Sequence, residues 1–61
     1  MLITKISPFS GKTNTLFIPI TEVEYSNYLQ GNAPIQRVFP HLTPDEREFI
    51  LTGITPDEWP V

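Results

Sequence analysis

The stretch Leu42–Trp59, LTPDEREFILTGITPDEW, holds one complete helix with its own start and stop signals and, directly after it, a second helix start. Thr43 is an N-cap residue, Pro44 occupies the favoured first helical position, and Glu46 falls at N3 to close a capping box. Gly53 stands where a left-handed C′ residue ends a helix, and a Schellman ending would fold Ile54 back onto Phe49. Thr55-Pro56-Asp57-Glu58 then repeats Thr43-Pro44-Asp45-Glu46 twelve residues later. Ile54 at N′ and Trp59 at N4 form a hydrophobic staple in this reading, so Ile54 closes one helix and opens the next. Two copies of a cap are not a solenoid period.

Working outward, the same grammar opens an earlier helix. Thr21 and Glu24 make a capping box, Ile20 and Tyr25 a staple, and Tyr25, Tyr28 and Leu29 share a face at i, i+3, i+4 before Gly31 stops the run. Asn32 or Ala33 leads into Pro34 and a short helix whose Ile35, Val38 and Phe39 repeat that spacing. Pro40 ends it, because a residue before proline is pushed out of the α region. N-terminal to these lie two strand-like segments. Leu2 to Phe9 puts Leu2, Thr4, Ile6 and Pro8 on one face and Ile3, Lys5, Ser7 and Phe9 on the other; Thr15 to Ile20 aligns Leu16, Ile18 and Ile20. Ser10-Gly11-Lys12-Thr13 between them is turn chemistry, and Pro8 and Pro19 belong at strand ends or edges. A lone hairpin is marginal in water, so a helix must cover it. The expected fold is α+β: a single domain, residues 1–61, with a hairpin over about 2–20 packed by three to four short helices near 22–30, 34–39, 44–52 and 56–59.

Sixty-one residues without cysteine leave neither a disulfide nor a Cys-containing zinc site to supplement a small core. The fold therefore rests on a few large side chains or on a partner subunit. No apolar run reaches the ~18 residues of a membrane span and no signal-peptide core is present, which makes a cytoplasmic protein the expectation. The net charge of −3 lies in the C-terminal half, where Asp45, Glu46, Glu48, Asp57 and Glu58 face only Arg37 and Arg47. These carboxylates gather at helix starts, where they meet the positive end of the helix dipole. An acidic face toward a basic partner is the other reading.

No catalytic constellation emerges. Ser7, Ser10 and Ser26 have only His41 as a base, and no spacing links them. Asp45 with Glu46, and Asp57 with Glu58, are explained by capping, and no loop has calcium-binding spacing. Ser10–Thr13 shares its Gly-Lys-Thr with a phosphate-binding loop, but the required upstream glycine is absent and the run sits in a hairpin turn. The chain therefore reads as non-enzymatic, with no catalytic, cofactor or metal residues. For a protein partner or self-association as a homodimer, the candidate contacts are Trp59, Tyr28, Arg37 and Arg47, with Tyr25 and Phe39 as further aromatic anchors. The alternative is single-stranded nucleic-acid binding through a hairpin face of Lys5, Phe9, Lys12 and Phe17. Four basic residues and a negative net charge weigh against it.

From about Thr21 to Trp59, two-thirds of the chain, the sequence resembles a group of small uncharacterised proteins encoded by bacteriophages and prophages. The likeness is carried by Gly31, Ile35-Gln36, Phe39-Pro40-His41-Leu42, the run Arg47-Glu48-Phe49-Ile50-Leu51-Thr52-Gly53-Ile54-Thr55-Pro56, and Glu58-Trp59. The group brings no activity, ligand or binding residue to carry over. It implies a small phage accessory protein working in the bacterial host cytoplasm, and by analogy with small phage accessory proteins, which often bind a host or phage protein, one that acts by protein binding.

Overall fold

Two antiparallel strands followed by three helices and a 3-10 turn are what the cap and turn signals build. The computed structural model describes residues 1–31 and 33–59: β1 (Leu2–Ile6), β2 (Thr13–Phe17), α1 (Glu22–Gln30), α2 (Ile35–Val38), α3 (Pro44–Thr52) and the 3-10 turn Pro56–Glu58. Asn32, read above as leading into the second helix, lies outside the described residues, as do Pro60 and Val61. The architecture is α+β, with helices covering one face of the hairpin.

The strands pair Leu2 with Phe17, Ile3 with Leu16, Thr4 with Thr15, Lys5 with Asn14 and Ile6 with Thr13. Both leave the ladder earlier than the alternation predicts. After β1 the turn begins at Ser7, not Ser10. The buried Ser7 hydroxyl accepts the N–H groups of Phe9 and Ser10, its own N–H donates to the Lys12 carbonyl at 2.8 Å, and its carbonyl accepts from Gly11. Serine offers the backbone a local alternative to the ladder, and here that alternative wins. Gly11 closes the loop at φ +76°. After β2, Ile18 still donates to the Met1 carbonyl, but Pro19 has no N–H, and Ile20 turns back to the Ile18 carbonyl at 2.7 Å. Ile18 and Ile20 leave the sheet yet remain buried.

The core comprises Ile3, Ile18, Ile20, Ile35, Phe39, Leu42, Phe49 and Ile50. Phe39 and Phe49 are fully enclosed, and each would cost about 3–5 kcal/mol on truncation to alanine. Helix α1 places no residue fully inside: Tyr25 and Tyr28 lean on the core, while Leu29, predicted to share their face, is exposed. Nine residues at one side of a small core bury a narrow stripe, and Leu29 falls outside it.

The start signals of α1 and α3 act as read. Thr21 and Glu24, and Thr43 and Glu46, exchange hydrogen bonds of 2.8–3.1 Å as complete capping boxes. The end of α3 differs from the expected Schellman motif. Gly53 is left-handed at φ +83° and donates to the Phe49 carbonyl, but the Ile54 N–H goes to the Thr52 hydroxyl, which itself donates to the Glu48 carbonyl. Thr52 thus intercepts the donor that a Schellman ending would send back to Phe49. Gly31 stops α1 in an extended, not left-handed, conformation.

Gly53 lies against β1: a Cβ there would come within 3.0 Å of both the Ile6 carbonyl oxygen and Lys5 Cβ. Gly11 has the same handedness with open space around it. Gly11→Ala should therefore cost about 1–2 kcal/mol from backbone strain alone. Gly53→Ala should cost visibly more, since the hairpin must also move away. Urea unfolding of the two variants side by side tests this; equal costs would mean that the contact with β1 has no energetic weight.

Candidate functional site

The hairpin has two unlike faces, and their chemistry follows from the register. Ile3, Lys5, Asn14 and Leu16 point toward the helices, and Leu2, Thr4, Ile6, Thr13, Thr15 and Phe17 point away. On the inner face, the paired residues Lys5 and Asn14 hold the end of α3. Lys5 Nζ donates to the Ile50 carbonyl at 2.5 Å, and Asn14 Nδ2 donates to the Gly53 carbonyl at 3.0 Å. A helix C-terminus leaves its last carbonyls without intrahelical donors and is partially negative, so a lysine and an amide are suited to it.

Asn14 Nδ2 also reaches Glu58 Oε1 at 2.9 Å. The Glu58 carboxylate further accepts from the Ser10 hydroxyl in the hairpin turn and from the Thr55 N–H at 3.1 Å. The Ser10 hydroxyl and then the Thr55 N–H are the main reasons that Glu58 is held down to about 2. The sequence reading accounts for Glu58 as a cap; the structure adds a tie between the 3-10 turn and residues 48 and 44 positions earlier in the chain. Ser10 and Asn14 carry no motif that could have flagged them. Glu24 is likewise lowered, first by the Thr21 N–H of its own cap.

The outer face is uncharged. Leu2, Ile6 and Phe17 leave 67%, 69% and 66% of their surface in water, and the Thr4 and Thr15 hydroxyls join across the strands at 2.7 Å. Phe9, also exposed, stands in the adjoining turn. Leu2 and Ile6 are absent from the residues picked out by sequence. Their alternation with Thr4 was legible, but not which face the helices would leave open.

The predicted contact residues fall in separate places. Tyr28 is half-buried with its ring 5.6 Å from that of Phe39, and Arg47 Nη1 lies 3.5 Å from the Phe39 carbonyl, so Tyr28 and Arg47 flank one core residue. Arg37 is exposed on α2. Trp59, 37% exposed, follows the 3-10 turn that Glu58 ties to the hairpin loop. Of the alternative face, Phe17 points outward, Phe9 and Lys12 are exposed around the turn, and Lys5 points inward onto α3. His41 Nε2 lies 3.0 Å from the Pro19 carbonyl, with its ring edge-on to Phe39, while Ser7 and Ser10 bond within the turn and to Glu58. These hydroxyls and the imidazole do not meet.

Among the described residues no three potential metal ligands converge, no ligand-sized pocket opens, and no helix is long and apolar enough to cross a membrane. No protein-family model, curated protein or solved structure matches the chain.

The carboxylate tie sets a pH dependence. Because the folded value of Glu58 lies below its ordinary 4.5, its contribution to stability is complete above about 4.5 and is lost as pH falls through about 2. Glu58→Gln should lower the melting temperature at pH 7, and the gap to wild type should narrow steadily between pH 4.5 and 2. A gap that stays constant with pH would show that the charge of Glu58 has no part in the tie.

Proposed function

We propose that this chain is a small non-enzymatic binding protein that acts through protein–protein contacts, as a phage-type accessory protein in the bacterial host cytoplasm. The observation that carries the reading is the outer face of the hairpin. Leu2, Ile6 and Phe17 stand exposed on one two-stranded surface with only threonines between them. Scattered apolar residues are normal on a protein surface; here Leu2 and Phe17 are direct cross-strand neighbours, and Ile6 lies one threonine pair further along the same uncharged face, a concentration of exposed apolar side chains of the kind interaction sites use. Phe17 supplies the large aromatic contact that interfaces favour, and its neighbours need no ion pair to be desolvated. Trp59, Arg37 and the Tyr28–Arg47 pair beside Phe39 are further candidate contacts. The likeness to phage and prophage proteins supplies the biological setting.

The basic residues favour protein over nucleic acid as the partner. Lys5 is committed to the α3 carbonyl, which leaves Lys12 as the exposed hairpin lysine. Phosphate contacts dominate nucleic-acid affinity, and a single lysine beside two phenylalanines cannot supply several of them.

Tagged wild-type protein and Phe17→Asp, both expressed in a bacterial host and compared by co-purification and mass spectrometry, test the reading. Wild type should retain a discrete protein partner, or a second copy of itself, which Phe17→Asp loses at least tenfold while its melting temperature stays near wild type. Fluorescence anisotropy with single-stranded oligonucleotides should stay flat at near-physiological salt. A salt-sensitive anisotropy rise that Lys12→Ala abolishes would overturn the proposal in favour of nucleic-acid binding.

A further inference from the structure

Antiparallel pairing sorts the backbone of β2 into two sets. Ile18 with Met1 and Ser7 with Lys12 are hydrogen-bonded pairs at the two ends of the register, so Ile3–Leu16 and Lys5–Asn14 are hydrogen-bonded as well. Leu2–Phe17, Thr4–Thr15 and Ile6–Thr13 are then the non-hydrogen-bonded pairs, in keeping with the close approach of the Thr4 and Thr15 hydroxyls. The N–H and C=O groups of Thr13, Thr15 and Phe17 consequently point away from β1. Among the described residues no hydrogen bond reaches them. The far side of β1 differs, because Gly53 packs against it at Ile6.

A free edge accepts one kind of occupant, another extended strand, and proteins guard such edges with lysine, proline or a bulge. Thr13–Phe17 contains neither lysine nor proline, and its one-to-one register leaves no bulge. We propose that this edge pairs antiparallel with β2 of a second copy, about a two-fold axis through Thr15. The proposal rests on the protein-binding reading above and specifies self-association as one use of the hairpin.

The register follows from the backbone. With Thr15 opposite Thr15 of the other copy, Thr13 of each chain faces Phe17 of its partner. The three outward residues of each strand then exchange six N–H to C=O bonds, and the two hairpins become one four-stranded sheet. Three or more strands are also what a hairpin lacks for stability of its own.

Charge selects the same surface for a second copy. Two chains of net charge −3 repel over most approaches, but the outward residues of β2 and β1 carry no charge, so this pairing opposes no like charges. On the outer face, Phe17 gains Thr13 of the partner as neighbour, extending the row begun by Leu2, and four outward threonines line the middle. A five-residue strand contact buries well under the ~1,600 Å² of a standard interface, so the dimer is of the weak, concentration-dependent class.

Sedimentation velocity from 5 µM to 1 mM, with amide hydrogen exchange read residue by residue, tests this on the full chain. The expected result is a monomer–dimer equilibrium in which the Thr13, Thr15 and Phe17 amides become protected as concentration rises. Thr15→Lys, on an exposed strand position that tolerates the side chain, should weaken dimerisation at least tenfold by placing two lysines opposite each other. An equimolar mixture of Thr15→Lys and Thr15→Glu should restore it as a heterodimer, because only a two-fold axis at Thr15 sets those residues face to face. A monomer throughout, or a dimer indifferent to Thr15→Lys, overturns the pairing. Neither result touches the capture of a different protein through Phe17, so the two readings fail separately.

Discussion

The Lys5–Asn14 pair on the inner face of the hairpin is the constraint on which the remaining packing depends. One strand supplies an ammonium to the Ile50 carbonyl and the other an amide to the Gly53 carbonyl, so both strands grip the last turn of α3 together. Neither group would be favourable facing a purely apolar layer, since a polar group removed from water without a partner is costly. The orphan carbonyls at a helix end meet that need, and the hairpin in turn receives the cover that a two-stranded sheet requires. Local signals make the hairpin and the helix separately; this junction makes them one structure.

From that junction the rest follows by proximity. Gly53 brings its backbone against β1 because it has no side chain and because its left-handed conformation turns the chain sharply after Thr52. The turn directs Thr55 inward, where it is buried, and sets Glu58 within reach of both Asn14 and the loop hydroxyl of Ser10. One carboxylate therefore caps its own turn and secures the hairpin loop. The arrangement substitutes for disulfide or metal cross-links, which a chain without cysteine and without a convergent ligand set does not have among its described residues.

The same economy leaves the other side of the sheet bare. Helices α2 and α3 and the segment of Ile18 and Ile20 occupy the inner face, while α1 adds only the half-buried Tyr25 and Tyr28. Nothing in the described chain is left to shield Leu2, Ile6 and Phe17. An uncovered, uncharged hairpin face is costly in water for a protein that works alone and useful for one that binds. This balance underlies the proposed role in protein–protein contact.

What the sequence by itself determined were the features whose physics is local. The Thr21–Glu24 and Thr43–Glu46 boxes, the helix they open, the left-handed Gly53 and the existence of a hairpin all depend on residues within a few positions of each other. Even there, competition between neighbours settled the detail: Ser7 drew the hairpin turn to itself, and Thr52 replaced a Schellman ending with a single left-handed bond. Only the tertiary structure decided which face of the hairpin is covered, because Leu2-Thr4-Ile6 and Ile3-Lys5 each mix apolar and polar residues and alternation cannot rank them. It also decided that Lys5 serves a helix end, that Glu58 answers to Ser10 and Asn14, and that Leu29 remains outside. Those outcomes join residues up to 48 positions apart, a separation across which no sequence period or cap signal extends.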